Sequence, residues 1–331
     1  MPLSHYDMYS INSFNSVEEI KKDKYDLFIS SYNKESMVVD VYNNIQADNK
    51  LWCLLPDYDF QEDNLEINDY YIKKDIDIQS CTLENEFIEG LINDNAINTY
   101  KDKRICIDIT GFVKPYMIYF VYALKEYGFK KIDIIYSEPK YWEKLDETEF
   151  SKEEIISTRP INGFERRVEP GKNDLHIIAA GYDHKLVRTV AGFSKMVKHK
   201  EVLIGFPSLQ PSMYQENILN FQEAADELAI DNDNFEPLYA PANDPFETAK
   251  VLKMFIDNYI DSKNGVNTIY LSPLSTKPHA LGMLLFFLYE KEFYNKKGIQ
   301  IIILYPFTKA YSSSAGKQLA KINLYTLEFD S

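Results

Sequence analysis

A chain of 331 residues, 45% hydrophobic and 26% charged, has the balance of an ordinary globular protein and the length for one large domain or two fused ones. Its formal net charge of -15 argues against a protein that coats duplex nucleic acid, which needs a basic face, while leaving room for a local basic pocket that takes a small anion. The three cysteines, Cys53, Cys81 and Cys106, form no CxxC or Cys/His pair with metal-ligand spacing, so no metal is expected; their odd number fits a reducing compartment.

Residues 1–24 are polar with scattered aromatics and read as a lead-in, with a short helix at 16–22 and no signal peptide. A first strand follows at 25–29 (Tyr-Asp-Leu-Phe-Ile), then the polar loop Ser30-Ser31-Tyr32-Asn33, and a helix over 35–45 with Met37, Val38, Val41, Tyr42 and Ile45 on one face. A second strand at 51–55 is closed by Pro56-Asp57-Tyr58-Asp59; 57–68 is acidic loop, 72–78 an edge strand and 82–93 a helix. The next unit is strand 104–109, loop Thr110-Gly111-Phe112-Val113, helix start Lys114-Pro115-Tyr116, helix 117–127 and strand 131–136, ahead of Pro139. Proline suits a first helical turn, where its missing N–H is not needed.

Residues 140–173, rich in charge and turn formers and carrying Arg166-Arg167, read as a connector with room for a small hairpin. The second half then opens as the first did: strand 175–180, loop Gly181-Tyr182-Asp183-His184, helix 186–197 and strand 201–205 ending in Phe206-Pro207-Ser208. Helix patterns follow at 214–229 and 244–263, the latter opened by Asn243-Asp244-Pro245. Strand 267–271, loop 272–276, Lys277-Pro278-His279, the apolar helix 280–289 and strand 299–305 then repeat the Lys-Pro unit, ahead of Pro306. That apolar run is too short to span a bilayer, so a cytoplasmic protein with no membrane partner is expected. Residues 307–331 form a C-terminal loop and an alternating strand over 321–329.

Two blocks of strand–helix–strand, helix, strand–Lys-Pro-helix–strand, at 25–139 and 175–306, predict an α/β protein of two tandem Rossmann-like units, pseudo-duplicated, with parallel sheets covered by helices. In such sheets ligands lie outside the strand carboxyl ends. The loops there supply Ser31, Asn33, Asp108, Thr110 and Lys114 from the first block, and Asp183, His184, Lys185, Arg188, Ser272, Ser275, Thr276, Lys277 and His279 from the second. Lys114 and Lys277 stand beside helix N-termini, where backbone amides and the ammonium would together hold an anion; the plain alternative is a lysine turned to solvent. Asp183 is either an orienting acid for His184 or the N-cap of its helix, and Asp108 either a ligand group or a partner for the amides of its own loop. His176, in mid-strand, reads as a satisfied histidine of the core or one that supports the site from behind, and the Tyr311–Lys317 segment as phosphate-friendly but not a P-loop. No GxGxxG, P-loop, HExxH or Ser/His/Asp spacing occurs, so no cofactor and no catalytic residue is assigned.

Asp108-Ile109-Thr110-Gly111 with Lys114-Pro115, the run Ser272-Pro273-Leu274-Ser275-Thr276-Lys277-Pro278, and the strand ends at Tyr136 and Tyr305 resemble the CARF/SAVED group of Rossmann-like sensor domains from bacterial defence systems, over about residues 25–306. The resemblance implies a pocket, where the two halves meet, for a cyclic or linear oligonucleotide second messenger. The chain shows no effector domain, which implies an effector protein as partner. Two other readings stand beside this one. One is an enzyme acting on nucleotides or nucleosides through Asp108 or Asp183 with His184 or His279; the other is a structural subunit of a larger complex.

Overall fold

The computed structural model describes residues 6, 9–20, 24–58, 67, 70–73, 80, 82–142, 155–164, 173–181, 183–193, 197–210, 213–215, 236–309, 311 and 316–329. The chain divides into two compact units. The first comprises Tyr9–Glu154 with Thr308–Ser331, the second Met1–Met8 with Ile155–Phe307.

In the first unit the strands are β1 (Ile11–Phe14), β2 (Lys24–Ser31), β3 (Gln46–Cys53), β4 (Tyr70–Tyr71), β5 (Ile105–Asp108) and β6 (Lys131–Trp142). The helices are α1 (Val17–Ile20), α2 (Ser36–Asn44), α3 (Leu83–Asp94) and α4 (Lys114–Glu126). β4, β3, β2, β5 and β6 lie side by side and parallel, so the first five strands of the α/β block take the order 3-2-1-4-5. α2 covers one face, where Met37, Val38, Val41 and Tyr42 pack with Phe28, Trp52, Cys106 and Ile135, and Tyr42 stacks on Trp52 at 3.7 Å. Cys53 and Cys106 are buried small hydrophobes, and burial holds both thiols well above the usual range.

In the second unit the strands are β7 (Ile155–Pro160), β8 (Leu175–Ala179), β9 (His199–Gly205), β10 (Leu238–Ala240), β11 (Thr268–Pro273) and β12 (Gln300–Thr308). The helices are α5 (His184–Phe193), α6 (Pro245–Ser262) and α7 (Lys277–Lys296). The order β10-β9-β8-β11-β12, all parallel, is again 3-2-1-4-5. α7 is buried on nearly every side from Pro278 to Leu288, as a helix apolar all round must be. Gly282 lets α6 approach, since a Cβ there would stand 2.6 Å from the Pro245 carbonyl.

Both units thus have the expected Rossmann-like sheet, and both Lys-Pro pairs open the expected helix. Each sheet also gains an edge that the block pattern did not contain. β13 (Gly316–Glu328) runs antiparallel between β6 and β1, which makes the first sheet seven-stranded and mixed. β7, from the stretch expected to be a connector, borders β12 and completes a six-stranded second sheet. β6 does not stop at Pro139: that residue faces Leu319 where the register shifts, a bulge position that tolerates a missing N–H. At the other end of the chain, the Tyr6 hydroxyl donates to Glu290 Oε1 at 3.1 Å within the second unit. Most of the helix expected at 214–229 and the strand expected at 72–78, together with Arg166-Arg167 and residues 312–315, lie outside the described residues.

Candidate functional site

The order 3-2-1-4-5 places the topological switch between its first and fourth strands, which are β2 and β5 in one unit and β8 and β11 in the other. The residues singled out from the sequence lie at these carboxyl edges or on the helices that start there.

In the first unit Ser30 of β2 faces Asp108 of β5. Asp108 is fully buried; its Oδ2 accepts from the Ser30 hydroxyl at 3.0 Å and its Oδ1 from the Thr110 amide at 2.9 Å. Thr110 Oγ1 in turn accepts from the Ser137 amide at 2.9 Å, and Tyr58 donates to the Gly111 carbonyl at 2.8 Å. The carboxylate late in a buried strand therefore ties the amide of its own loop to Ser30 of the neighbouring β2, the second of the two roles open to it. Gly111 is required here, because a Cβ would stand 1.9 Å from the Ser31 carbonyl oxygen. Asn33 is buried and accepts from the Glu35 amide at 3.1 Å, turning the chain into α2; Ser31 is buried and Lys114 half-buried.

Among the described residues the buried acids at this edge are Glu35, Asp57, Asp108 and Glu138, with the buried tyrosines Tyr116 and Tyr136 and the half-buried Tyr58 beside them. Burial, opposed by the hydrogen bond from Tyr116 (2.6 Å), pushes Asp57 up to about 6. Burial raises the Tyr136 hydroxyl well above its usual range, helped by Glu138 and then Glu35. The first unit therefore presents an acid-lined interior, with Lys34 exposed and Lys114 at the rim. Sequence reading missed Asp57 and Glu138. Asp57 sat in what looked like an acidic loop, and Glu138 beyond the expected end of β6.

In the second unit the β8 loop meets the β11 loop at Gly181, where a Cβ would stand 2.5 Å from the Leu274 carbonyl oxygen. Asp183 is buried, and its Oδ1 accepts from the Leu186 amide at 3.3 Å, so it caps α5. That cap starts α5 two residues earlier than the apolar pattern implied. His184 opens the helix, and its side chain lies outside the described residues. Lys185 and Arg188 are exposed and three apart, hence neighbours on the helix surface.

Ser272 and His176 are both fully buried, with Oγ and Nε2 2.8 Å apart, and they tie β11 to β8. Burial, with Lys200 as a second cause, depresses the His176 ring to about 3, so it stays neutral. Thr276 caps α7 by accepting from the His279 amide and donates its own hydroxyl to the Ala242 carbonyl at 2.6 Å. His279 is fully buried, its Nε2 3.1 Å from the Pro241 carbonyl and 3.3 Å from that of Ala240; it holds the β10 turn to α7 rather than lining an open pocket. Ser275 and Lys277 are half-buried at the rim of the same loop.

Sequence reading also missed Phe206, Tyr214 and Tyr239, whose rings meet beside this edge. No motif marks them, and Tyr239 belongs to a three-residue strand too short for periodicity to reveal. Among the described residues no group of three or more His, Cys, Asp or Glu could hold a metal ion, and no helix is long and apolar enough to cross a membrane. The chain matches no family model, no curated protein and no solved structure.

Proposed function

We propose that this chain is a ligand-sensing or adaptor protein, of the kind that serves bacterial defence or signalling, which binds an anionic nucleotide-type ligand at the strand carboxyl edge of its second unit and passes the event to a protein effector. The observation that carries the reading is Lys277 at the first turn of α7, at the switch point of a doubly wound sheet. Amides at a helix N-terminus and an ammonium beside them suit a phosphate. Lys185 and Arg188 on α5 add cationic charge on the other side of the switch, while the Asp183 carboxylate is engaged as a cap. The first unit fits an anion less well, because its buried edge is rich in carboxylates.

A sensor is preferred to a hydrolase for a specific reason. The Ser272–His176 pair has nucleophile–base spacing but is sealed from solvent, and Asp108 and Asp183 hold their own backbones. The test is incubation of the pure chain with a panel of nucleotides and short oligonucleotides. Thermal stabilisation without turnover supports the reading; turnover moves the chain to the nucleotide-processing enzymes, and no response to any member removes it.

A further inference from the structure

The large apolar side chains most exposed among the described residues are Phe193, Phe206, Tyr239, Met254 and Phe293. Two of these touch each other. Phe206, 54% exposed, directly follows β9; Tyr239, 43% exposed, stands in β10; their ring centroids are 6.1 Å apart. Tyr214 completes the group, 5.2 Å from Phe206 and 6.3 Å from Tyr239, with its hydroxyl 3.4 Å from that of Tyr239. Aromatic rings left in water at a sheet end are unfavourable for the fold itself, and a contiguous exposed group of them marks an interaction site.

This group is built onto the Lys277 loop. The Phe206 amide donates to the Ala240 carbonyl at 2.8 Å and the Ala242 amide to the Pro207 carbonyl at 2.9 Å. Ala242 in turn accepts from Thr276, the residue before Lys277. The buried His279 ring braces the same turn through Pro241, and Gly205 makes room for it, since a Cβ there would stand 3.3 Å from His279 Cε1. Two hydrogen bonds, Ala242 to Pro207 through backbone and Thr276 to Ala242 through the threonine hydroxyl, therefore link the Phe206 strand end to the residue before α7.

We infer that Phe206, Tyr214 and Tyr239 form a stacking platform for the base of a nucleotide whose phosphate lies at Lys277 and the first turn of α7. The inference rests on the anion site proposed above and adds to it the organic half of the ligand. Aromatic faces stack on any base, and the tyrosine hydroxyls offer hydrogen bonds to a base edge. The favoured ligand is a nucleoside phosphate or a short oligonucleotide, over inorganic phosphate or a sugar phosphate.

The experiment is calorimetric titration of the full chain with the four ribonucleoside 5′-diphosphates and with pyrophosphate. The parent should bind at least one nucleoside diphosphate tenfold or more tighter than pyrophosphate. Phe206→Ala and Tyr239→Ala, both at exposed positions, should each weaken that nucleoside diphosphate by roughly five- to a hundredfold and leave pyrophosphate unchanged. Phe206→Tyr should restore the parental affinity, and Lys277→Ala should weaken both probes alike. Equal parental affinity for pyrophosphate and the nucleoside diphosphates overturns the platform. So do aromatic variants with parental nucleotide affinity while Lys277→Ala loses it, and in that case the anion site stands. The reverse pattern, loss in the aromatic variants and none in Lys277→Ala, removes the anion site and keeps the stacking surface. If the alanine variants change only the sedimentation coefficient, the rings join copies of the chain and the nucleotide role falls; binding of none of the five probes overturns both readings.

Discussion

Lys277 is a cation at the wrong end of a helix, and that is its interest. Without ligand the macrodipole by itself favours Lys277→Ala by a few tenths of a kcal/mol, to be read from the melting of the unliganded chain. A bound phosphate reverses the balance, since a charge-assisted contact contributes roughly 1.5–3 kcal/mol; the variant should then lose about ten- to a hundredfold in affinity and most of the ligand-induced thermal shift. His176 is the opposite case, a group that matters to stability and not to binding. The unfolded chain protonates this ring near the usual 6.5, the folded chain only near 3. The native state therefore holds fewer protons in that window, and the stability it contributes is present above pH 6.5 and lost as pH falls toward 3. Denaturant titrations should show the parent losing about 2 kcal/mol more than His176→Gln between pH 7 and 5. Asp57 has the other sign. Its folded carboxyl titrates near 6 against the usual 3.8, so the folded state is favoured below that window and penalised as pH rises through 6. Asp57→Asn, which can still accept from Tyr116, should exceed the parent's stability above pH 7 by roughly 1–3 kcal/mol and show no advantage at pH 4.

Close backbone approach, read at single glycines, accounts for how the strand-end loops meet. Gly111→Ala would push a Cβ into a main-chain carbonyl at 1.9 Å, with no side chain able to swing aside. Melting should show a loss of about 1–3 kcal/mol or more. Gly192→Ala, in α5 with nothing within 4 Å, is the control and should be neutral or stabilising by up to about 1 kcal/mol. The strand–helix alternation and both Lys-Pro helix starts were readable because they rest on local rules: unbroken apolar strands, 3.6-residue periodicity, proline in a first turn. β1, β7 and β10 were not. They are short or half-exposed edge strands, given their place by a neighbour distant in sequence. The polar half of β3, Gln-Ala-Asp-Asn-Lys, is strand only because it pairs with β2. The site divides the same way. The loops and their lysines follow from strand ends, whereas the roles of Asp108 and His279 depend on Ser30, Pro241 and Ala240, more than 35 residues away in the chain. Nor does spacing show that Phe206 and Tyr239 meet.

The chain passes between its two units three times, after residues 8, 154 and 307. Whole strands, not linkers, are thereby allotted to a unit far from them in sequence. Truncation after residue 315 should leave the second unit's strands complete and strip β13 from between β6 and β1. The expected result is a protein that loses its first-unit structure by circular dichroism and aggregates through the bared β6 edge; a soluble, fully folded product would show β13 to be dispensable. The same arrangement inverts the usual order of assembly on the ribosome. The second unit has all its described strands once residue 308 has emerged, but the first waits for residues 316–328, and at 5–20 residues per second β6 spends about 10–35 s without its neighbour. The half made first is finished last, and through that interval a newly made chain depends on whatever shields an open strand edge in the cell.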